Sequence, residues 1–363
     1  MARTNTSAPC VHAKEHDMQW DDIYIAGLGV YLPPPVAAAD AVAAGEYDAE
    51  ECEANGITSV LVEPEKAGPE MAVLAARDAI THSSVNTADI RMVFHSSLWY
   101  QGVDMWPAAS YVARFSVGES VMAFDLQQQC NAAVGGMDLA ASRLVFEKGG
   151  AALLTTGDRF CLPGVDRWRT EKGLPYGDGG TAMVLSTEGG FARLLSTATV
   201  SDNGLEQVLR GERFHDSYQP GPLDISSRIE HHFAHHGGMR ASTVRLAEAV
   251  RTSVMSALAE AKTELADLGG VVIPAAGRAK LDWQLSQLVG VEEEQTTWPF
   301  ARTHGHLGAG DQFAGLRHLI AQKVVGAGDR VLIVGGGAGL TCTSAVVEVL
   351  GPLPEPTERT WPQ

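Results

Sequence analysis

Apolar strand-like runs alternate with helix-spaced stretches twice along this chain, and few architectures accommodate such a series. Asp22 to Val30 reads as a strand ending in a glycine turn, and Pro69 to Ser83 as a helix with Met71, Leu74, Ala75 and Ala79 on one face. Ile90 to Ser97, Val121 to Leu126, Ala151 to Thr156 and Ala182 to Ser186 are short apolar runs of the kind found in sheets buried on both faces. Between them, Trp106 to Phe115 and Asn131 to Phe146 have helical character. The pattern then restarts. Thr243 to Glu264 predicts a long helix, Val271 to Pro274 a buried strand, and Gln312 to Val325 an amphipathic helix. Arg330 to Gly335 and Thr343 to Leu350 predict strands on either side of a glycine loop. The expectation is an α/β chain of two similar βαβ halves.

The division follows from this. Residues 1–20 are polar, lack an apolar h-region and predict a flexible tail, with no signal peptide and no transmembrane span. Residues 21–199 form the first half, 241–352 the second, and 353–363 a tail. The stretch 200–240, rich in His, Gly and Pro, reads as an insertion between the halves. At 363 residues the chain is long enough for such a doubled core. A net charge of -17 argues against nucleic-acid or anionic-membrane partners. Five scattered cysteines without a CxxC pair suit a reduced cytoplasm rather than a disulfide framework.

The most informative segment runs from Asp125 through Gln129-Cys130-Asn131 to Gly136. A strand leads out, Cys130 stands at the turn, and a helix of small residues begins. The positive end of a helix dipole favours the thiolate there, while small neighbours let a ligand approach. A buried core cysteine is the competing reading. Downstream, Thr303-His-Gly-His306-Leu-Gly-Ala-Gly-Asp311 holds two histidines and a carboxylate at the start of a helix. His306 beside Cys130, with Asp311 on its other ring nitrogen, would make a nucleophile–base–orienter triad. His304 is the rival base, and Asp311 could equally be a helix N-cap. His231, His232, His235 and His236 could hold a metal at helical spacing, but no second ligand cluster supports one; a solvated helix face is the preferred reading, and no metal is expected.

These segments, with Gly27 to Pro33, Trp106-Pro-Ala-Ala-Ser110, Tyr176-Gly-Asp-Gly-Gly180 and Gly335 to Thr341, resemble in order and spacing the ketoacyl synthase III enzymes. The resemblance implies a thiolase-like fold with five layers, α-β-α-β-α, and acyl transfer through a thioester on Cys130. It implies an oxyanion hole from the backbone N–H groups of Cys130 and Gly339. It further implies a homodimer in which Trp106 lines the partner's pocket, and Arg167 as a contact for coenzyme A phosphates. His215 and His304 are candidate contacts to substrate. No permanently bound cofactor is implied; acyl-coenzyme A or an acyl carrier protein is the donor.

The chain also departs from that family's pattern. Ala275, in Ile273-Pro-Ala-Ala-Gly-Arg278, stands where the family has a histidine, and His306 where it has an asparagine. One of two donors needed for a developing enolate is then missing. The pattern resembles the ester-forming branch in antibiotic and polyketide biosynthesis, which would pass a malonyl or aryl group to a hydroxyl of a sugar or other natural-product scaffold. A carbon–carbon-forming starter synthase and a non-catalytic partner subunit are the alternatives.

Overall fold

A computed structural model describes residues 16–214, 221–337 and 339–362. Its strands are β1 (His16–Gln19), β2 (Tyr24–Tyr31), β3 (Pro35–Ala37), β4 (Ser59–Leu61), β5 (Ile90–Ser96), β6 (Met122–Leu126), β7 (Ala151–Asp158), β8 (Gly179–Ser186), β9 (Ala192–Ser201), β10 (Leu268–Val272), β11 (Arg330–Gly337) and β12 (Thr341–Val349). β3 and β4 form a small separate ribbon. The others follow one path, β10-β11-β12-β9-β2-β8-β7-β5-β6, with β1 added beside β9. The seam lies between β9 and β2, which share only Tyr24–Arg193 and Ile25–Ala192. On either side of it the order mirrors: β2-β8-β7-β5 faces β9-β12-β11-β10, each with two antiparallel pairs followed by a parallel one.

Helices Ala132–Glu147 and Asp311–Ala321 pack against strands from both sides of the seam, so they form the middle layer. Gly68–Thr81 covers the outer face of β2, β7 and β8, and Gly238–Glu260 covers β9 and β12. The result is the expected α-β-α-β-α stack. The interior strands are apolar on both faces because helices cover both: every residue of β7 and β8 is buried. On the outer face close packing requires glycine. A Cβ on Gly29 would lie 2.2 Å from the carbonyl oxygen of Ala75.

Three boundaries differ from the sequence reading. β9 crosses the 199 boundary, running from Ala192 to Ser201, and it pairs along its length with β12 and so belongs to the second half. Of the 1–20 tail, His16–Gln19 is tied to β9 as a strand. The 353–363 tail returns to the first half: the Thr357 N–H donates to the Thr81 carbonyl, and the Arg77 guanidinium lies over the Trp361 ring. Within 200–240 the described residues include two helices, Gln207–Arg210 and Ile225–His235, packed together. His232 in it is buried and bonded to Ser242 Oγ at 3.2 Å, while His235 and His236 are exposed. The uniformly solvated histidine face is corrected at that residue. Among the described residues no helix is long and apolar enough to cross a membrane.

Candidate active site

β6 ends at Leu126, and the chain turns through Gln129, whose φ of 52° lies in the left-handed region, before entering the middle-layer helix Ala132–Glu147. That turn is costly for a residue with a Cβ and persists because neighbours fix it. Asn131 is the fastener: its Oδ1 accepts from the Thr343 N–H at 2.9 Å and its Nδ2 donates to Thr343 Oγ1 at 3.1 Å. Gly335 and Gly337 of β11 press against the same turn. A Cβ on Gly337 would meet the Gln128 carbonyl oxygen at 2.3 Å, so no larger residue fits. Cys130 is thereby held at the head of the helix.

The far half brings the base. Gly305, at φ 73°, makes a sharp turn that sends its two flanking histidines in different directions. His306 Nε2 lies 2.9 Å from Cys130 Sγ, and its ring is buried. Its Nδ1–H donates to Asp311 Oδ2 at 2.6 Å, which leaves Nε2 facing the sulfur. Its own backbone N–H donates to the Pro175 carbonyl, and its carbonyl accepts from the Gly177 N–H. Asp311 is saturated: Oδ1 accepts from the Leu307 N–H at 2.8 Å and Oδ2 from the Ala275 N–H at 2.7 Å. The residue that lacks an imidazole therefore contributes its backbone to orienting the orienter.

Burial opposes a charge on His306, but the Cys130 sulfur and the Asp311 carboxylate outweigh it and raise the imidazole well above its usual range. The arrangement favours the protonated ring. Behind it, Asp158 is fully enclosed and its side chain accepts from the N–H groups of Leu98 and Trp99. Burial pushes this acid up to about 7, against the pull of those two bonds and of His306.

Cys130 and His306 open into a cavity of about 310 Å³. Its floor is Ile273 to Ala276, its glycine wall includes Gly335 to Gly337 and Gly339, and its far side is Ser242, Thr243, Leu246 and Val250 of the Gly238–Glu260 helix. Leu205, Val208, Leu209 and Phe233, from the insertion between the halves, close it, so the described part of that insertion is pocket wall. Glu171 pairs with Lys280 and also accepts from the Tyr176 hydroxyl at 3.1 Å.

Cys130, His306, Asp311 and Gly339 are thus brought together or onto one cavity. Others of the sequence-derived residues are not. His304 turns away: its Nδ1 donates to the Phe300 carbonyl at 2.7 Å and its ring packs on Phe300, outside the cavity. It is neither a substrate contact nor a rival base, because Gly305 reverses the chain between the two rings. Arg167 is also corrected. Its guanidinium is bidentate on the buried Asp178 and donates to the carbonyls of Leu61 and Tyr176, so it is engaged internally and is not presented to a phosphate. Trp106 packs edge-on against Tyr111 and does not line this chain's own cavity. His215 lies outside the described residues. Sequence reasoning missed Phe233, Trp283 and Gln284; the last two are consecutive residues of the Arg278–Gln287 helix, and nothing in their spacing marks them as wall residues.

Comparison with known proteins agrees with this geometry. Residues 124–203 match the family model described as 3-oxoacyl-[acyl-carrier-protein] synthase III, and residues 258–349 match the model for that enzyme's C-terminal part. A beta-ketoacyl-[acyl-carrier-protein] synthase III of Aquifex aeolicus is 22% identical over 87% of this chain and 96% of its own. The solved Aquifex aeolicus enzyme superposes with a TM-score of 0.74 at 19% identity, covering 90% of this chain and 99% of the other. A solved acyltransferase, ChlB3, superposes with a TM-score of 0.86 at 34% identity, covering 92% of this chain and 99% of its own. With a relative so similar along nearly its whole length, and the family models falling on the segments that carry both Cys130 and His306, the chain belongs to the 3-oxoacyl-[acyl-carrier-protein] synthase III-like family of the thiolase superfamily.

Proposed function

We propose that this protein is an acyltransferase that accepts an acyl group as a thioester on Cys130 and passes it to a hydroxyl of a small-molecule acceptor. One observation carries the reading: a Cys130–His306–Asp311 chain of contacts at 2.9 and 2.6 Å, with Ala275 in place of a second donor. The Cys130 thiolate attacks the thioester carbonyl of acyl-coenzyme A or an acyl carrier protein, and the oxyanion rests on the N–H groups of Cys130 and Gly339. The thiol departs. The acceptor oxygen then attacks the acyl-enzyme as His306 Nε2 takes its proton, with Asp311 stabilising the imidazolium. The tetrahedral intermediate collapses to the ester and frees Cys130.

Decarboxylative carbon–carbon bond formation lacks support because an enolate would have one side-chain donor, His306, instead of two. His304, the nearest substitute in sequence, is bonded to Phe300. A homodimer fits the exposed Met122 and Phe124 on β6, the terminal strand of the sheet, and the exposed Met105 beside Trp106.

Intact-mass measurement after mixing with a panel of acyl-coenzyme A and acyl-carrier-protein thioesters tests this. The expected result is a single acyl adduct that Cys130→Ala abolishes, with a malonyl group retained whole. No adduct from any donor, or release of CO2 with a carbon–carbon product, refutes it.

A further inference from the structure

The acyl-transfer mechanism leaves one enclosed acid beside the base without a part. Asp158 ends β7 and is buried. Its Oδ1 accepts from the N–H groups of Leu98 and Trp99 at 3.0 and 2.8 Å, and the Gln101 amide reaches the same oxygen at 3.4 Å. Its Oδ2 bears on the base loop. A Cβ on Gly308, two residues after His306, would lie 2.7 Å from that oxygen. The carboxyl is therefore packed against the turn that carries the imidazole.

The neighbouring cations are already committed elsewhere. Arg159, next in the chain, donates to the carbonyls of Pro64 and Glu65, and Arg167 is bidentate on Asp178. His95 reaches this region through Gln101, to which its Nε2 is bonded at 3.1 Å, and burial disfavours its charged form. Burial likewise keeps the Tyr176 hydroxyl protonated. The strongest charges acting on Asp158 are His306, which attracts, and Asp178, which repels but is neutralised by Arg167. A buried carboxylate without a cation is unfavourable. This one gains a cation whenever the His306 imidazole takes up a proton.

His306 changes charge in both halves of the reaction. As the Cys130 thioester forms, the imidazolium gives its proton to the departing thiolate. In the second half the acceptor O–H gives its proton to Nε2, the new C–O bond forms, and the C–S bond then breaks to release Cys130. The imidazolium of that step arises while the sulfur is still esterified and uncharged, so the sulfur, the largest charge favouring the protonated ring, is lost to it. Carboxylates must then supply the counter-charge. We infer that Asp158 is a positioning residue that acts through His306: once ionised, it joins Asp311 as a second counter-charge to the imidazolium formed during discharge of the acyl-enzyme. The inference rests on the acyl-enzyme reading above and deepens it.

The test loads Cys130 with benzoyl or hexanoyl thioesters of N-acetylcysteamine and uses water as the acceptor. Hydrolysis of the acyl-enzyme is followed by intact mass in the wild type and in Asp158→Asn, each corrected for the rate of the His306→Ala acyl-enzyme. At about pH 5.5, where Asp158 is protonated, the two should discharge equally; by about pH 8.5 the wild type should be faster by about tenfold, the equivalent of one pK unit on the base. A purely structural role would give the same ratio at every pH, and that result overturns the inference. A second measurement needs neither a donor nor a variant that folds. With Cys130 blocked by iodoacetamide, the His306 ring resonance of the wild type, identified by its loss in His306→Ala, should titrate in two steps because two coupled groups contribute. In Asp158→Asn it should titrate in one, with its midpoint lower by about one pH unit. A single step in the wild type overturns the inference. Failure of every donor to load Cys130 counts against the functional reading alone, and the blocked protein then decides whether the two groups are coupled.

Discussion

The two outer helices occupy matching places on the two halves, yet they pack differently. Gly68–Thr81 lies directly on the glycines of β2 and β8, and nine of its 14 residues are buried. Gly238–Glu260 has seven buried residues among 23, and all but Ser242 lie in its C-terminal half, against β9 and β12. Its N-terminal half stands off the sheet, with Ser242, Thr243 and Leu246 lining the cavity. One half is a close-packed platform, and the Cys130 turn is fastened across to the other half at Thr343 and Gly337. The other leaves the space in which chemistry can occur and contributes the base. Doubling the fold permits this division, because each copy can relax a different constraint.

Removing the base breaks the comparison most severely. His306→Ala keeps the platform intact but leaves Cys130 without its proton acceptor, and acyl transfer should fall about 10²–10⁴-fold. Single-turnover discharge of a preloaded acyl-enzyme measures this; a loss below tenfold would mean the base lies elsewhere. Next in size is a contrast of added bulk. Gly29→Val drives a side chain into the Ala75 carbonyl and should cost about 3 kcal/mol of stability. Leu246→Phe, facing the cavity, should cost less than about 1.5 kcal/mol and shift acyl preference toward smaller groups. Denaturant titration with a donor-length series separates the two, and equal destabilisation would remove the distinction between the halves.

The remaining effect concerns Asp158, the enclosed acid behind the base. Burial raises it from 3.8 to about 7, so the folded state holds its proton after the unfolded state has released it. Its stabilising contribution is therefore complete below pH 3.8 and is lost as pH rises toward about 7. Asp158→Asn keeps the amide oxygen for Leu98 and Trp99 but cannot ionise. It should flatten the stability profile across that window by on the order of 2 kcal/mol, after discounting for relaxation. Melting curves of both proteins from pH 4 to 7 check it, and parallel profiles would contradict the assignment.

Much of this was legible beforehand because it depends on local pattern. Buried parallel strands must be apolar throughout, helices must repeat at 3.6 residues, and a thiol at a strand-to-helix turn needs small neighbours. The misreadings share another cause. β9 went unrecognised because its run, Ala192 to Ser201, carries Ser and Thr at positions that pair inside the sheet instead of facing water. Arg167 looked like a phosphate contact because nothing near it in sequence shows that the buried Asp178 carboxylate would claim it.

By itself, then, the sequence determined the doubled α/β architecture, the nucleophile and the segment that carries its base. The first rests on periodicity; the other two rest on residue types placed at turns together with the resemblance to ketoacyl synthase III enzymes. Tertiary structure alone decided which of two histidines reaches the sulfur and that Arg167 is already paired. Such choices depend on side-chain direction after a glycine turn and on which groups the fold brings into contact, Cys130 and His306 being 176 residues apart, and neither is written in local spacing.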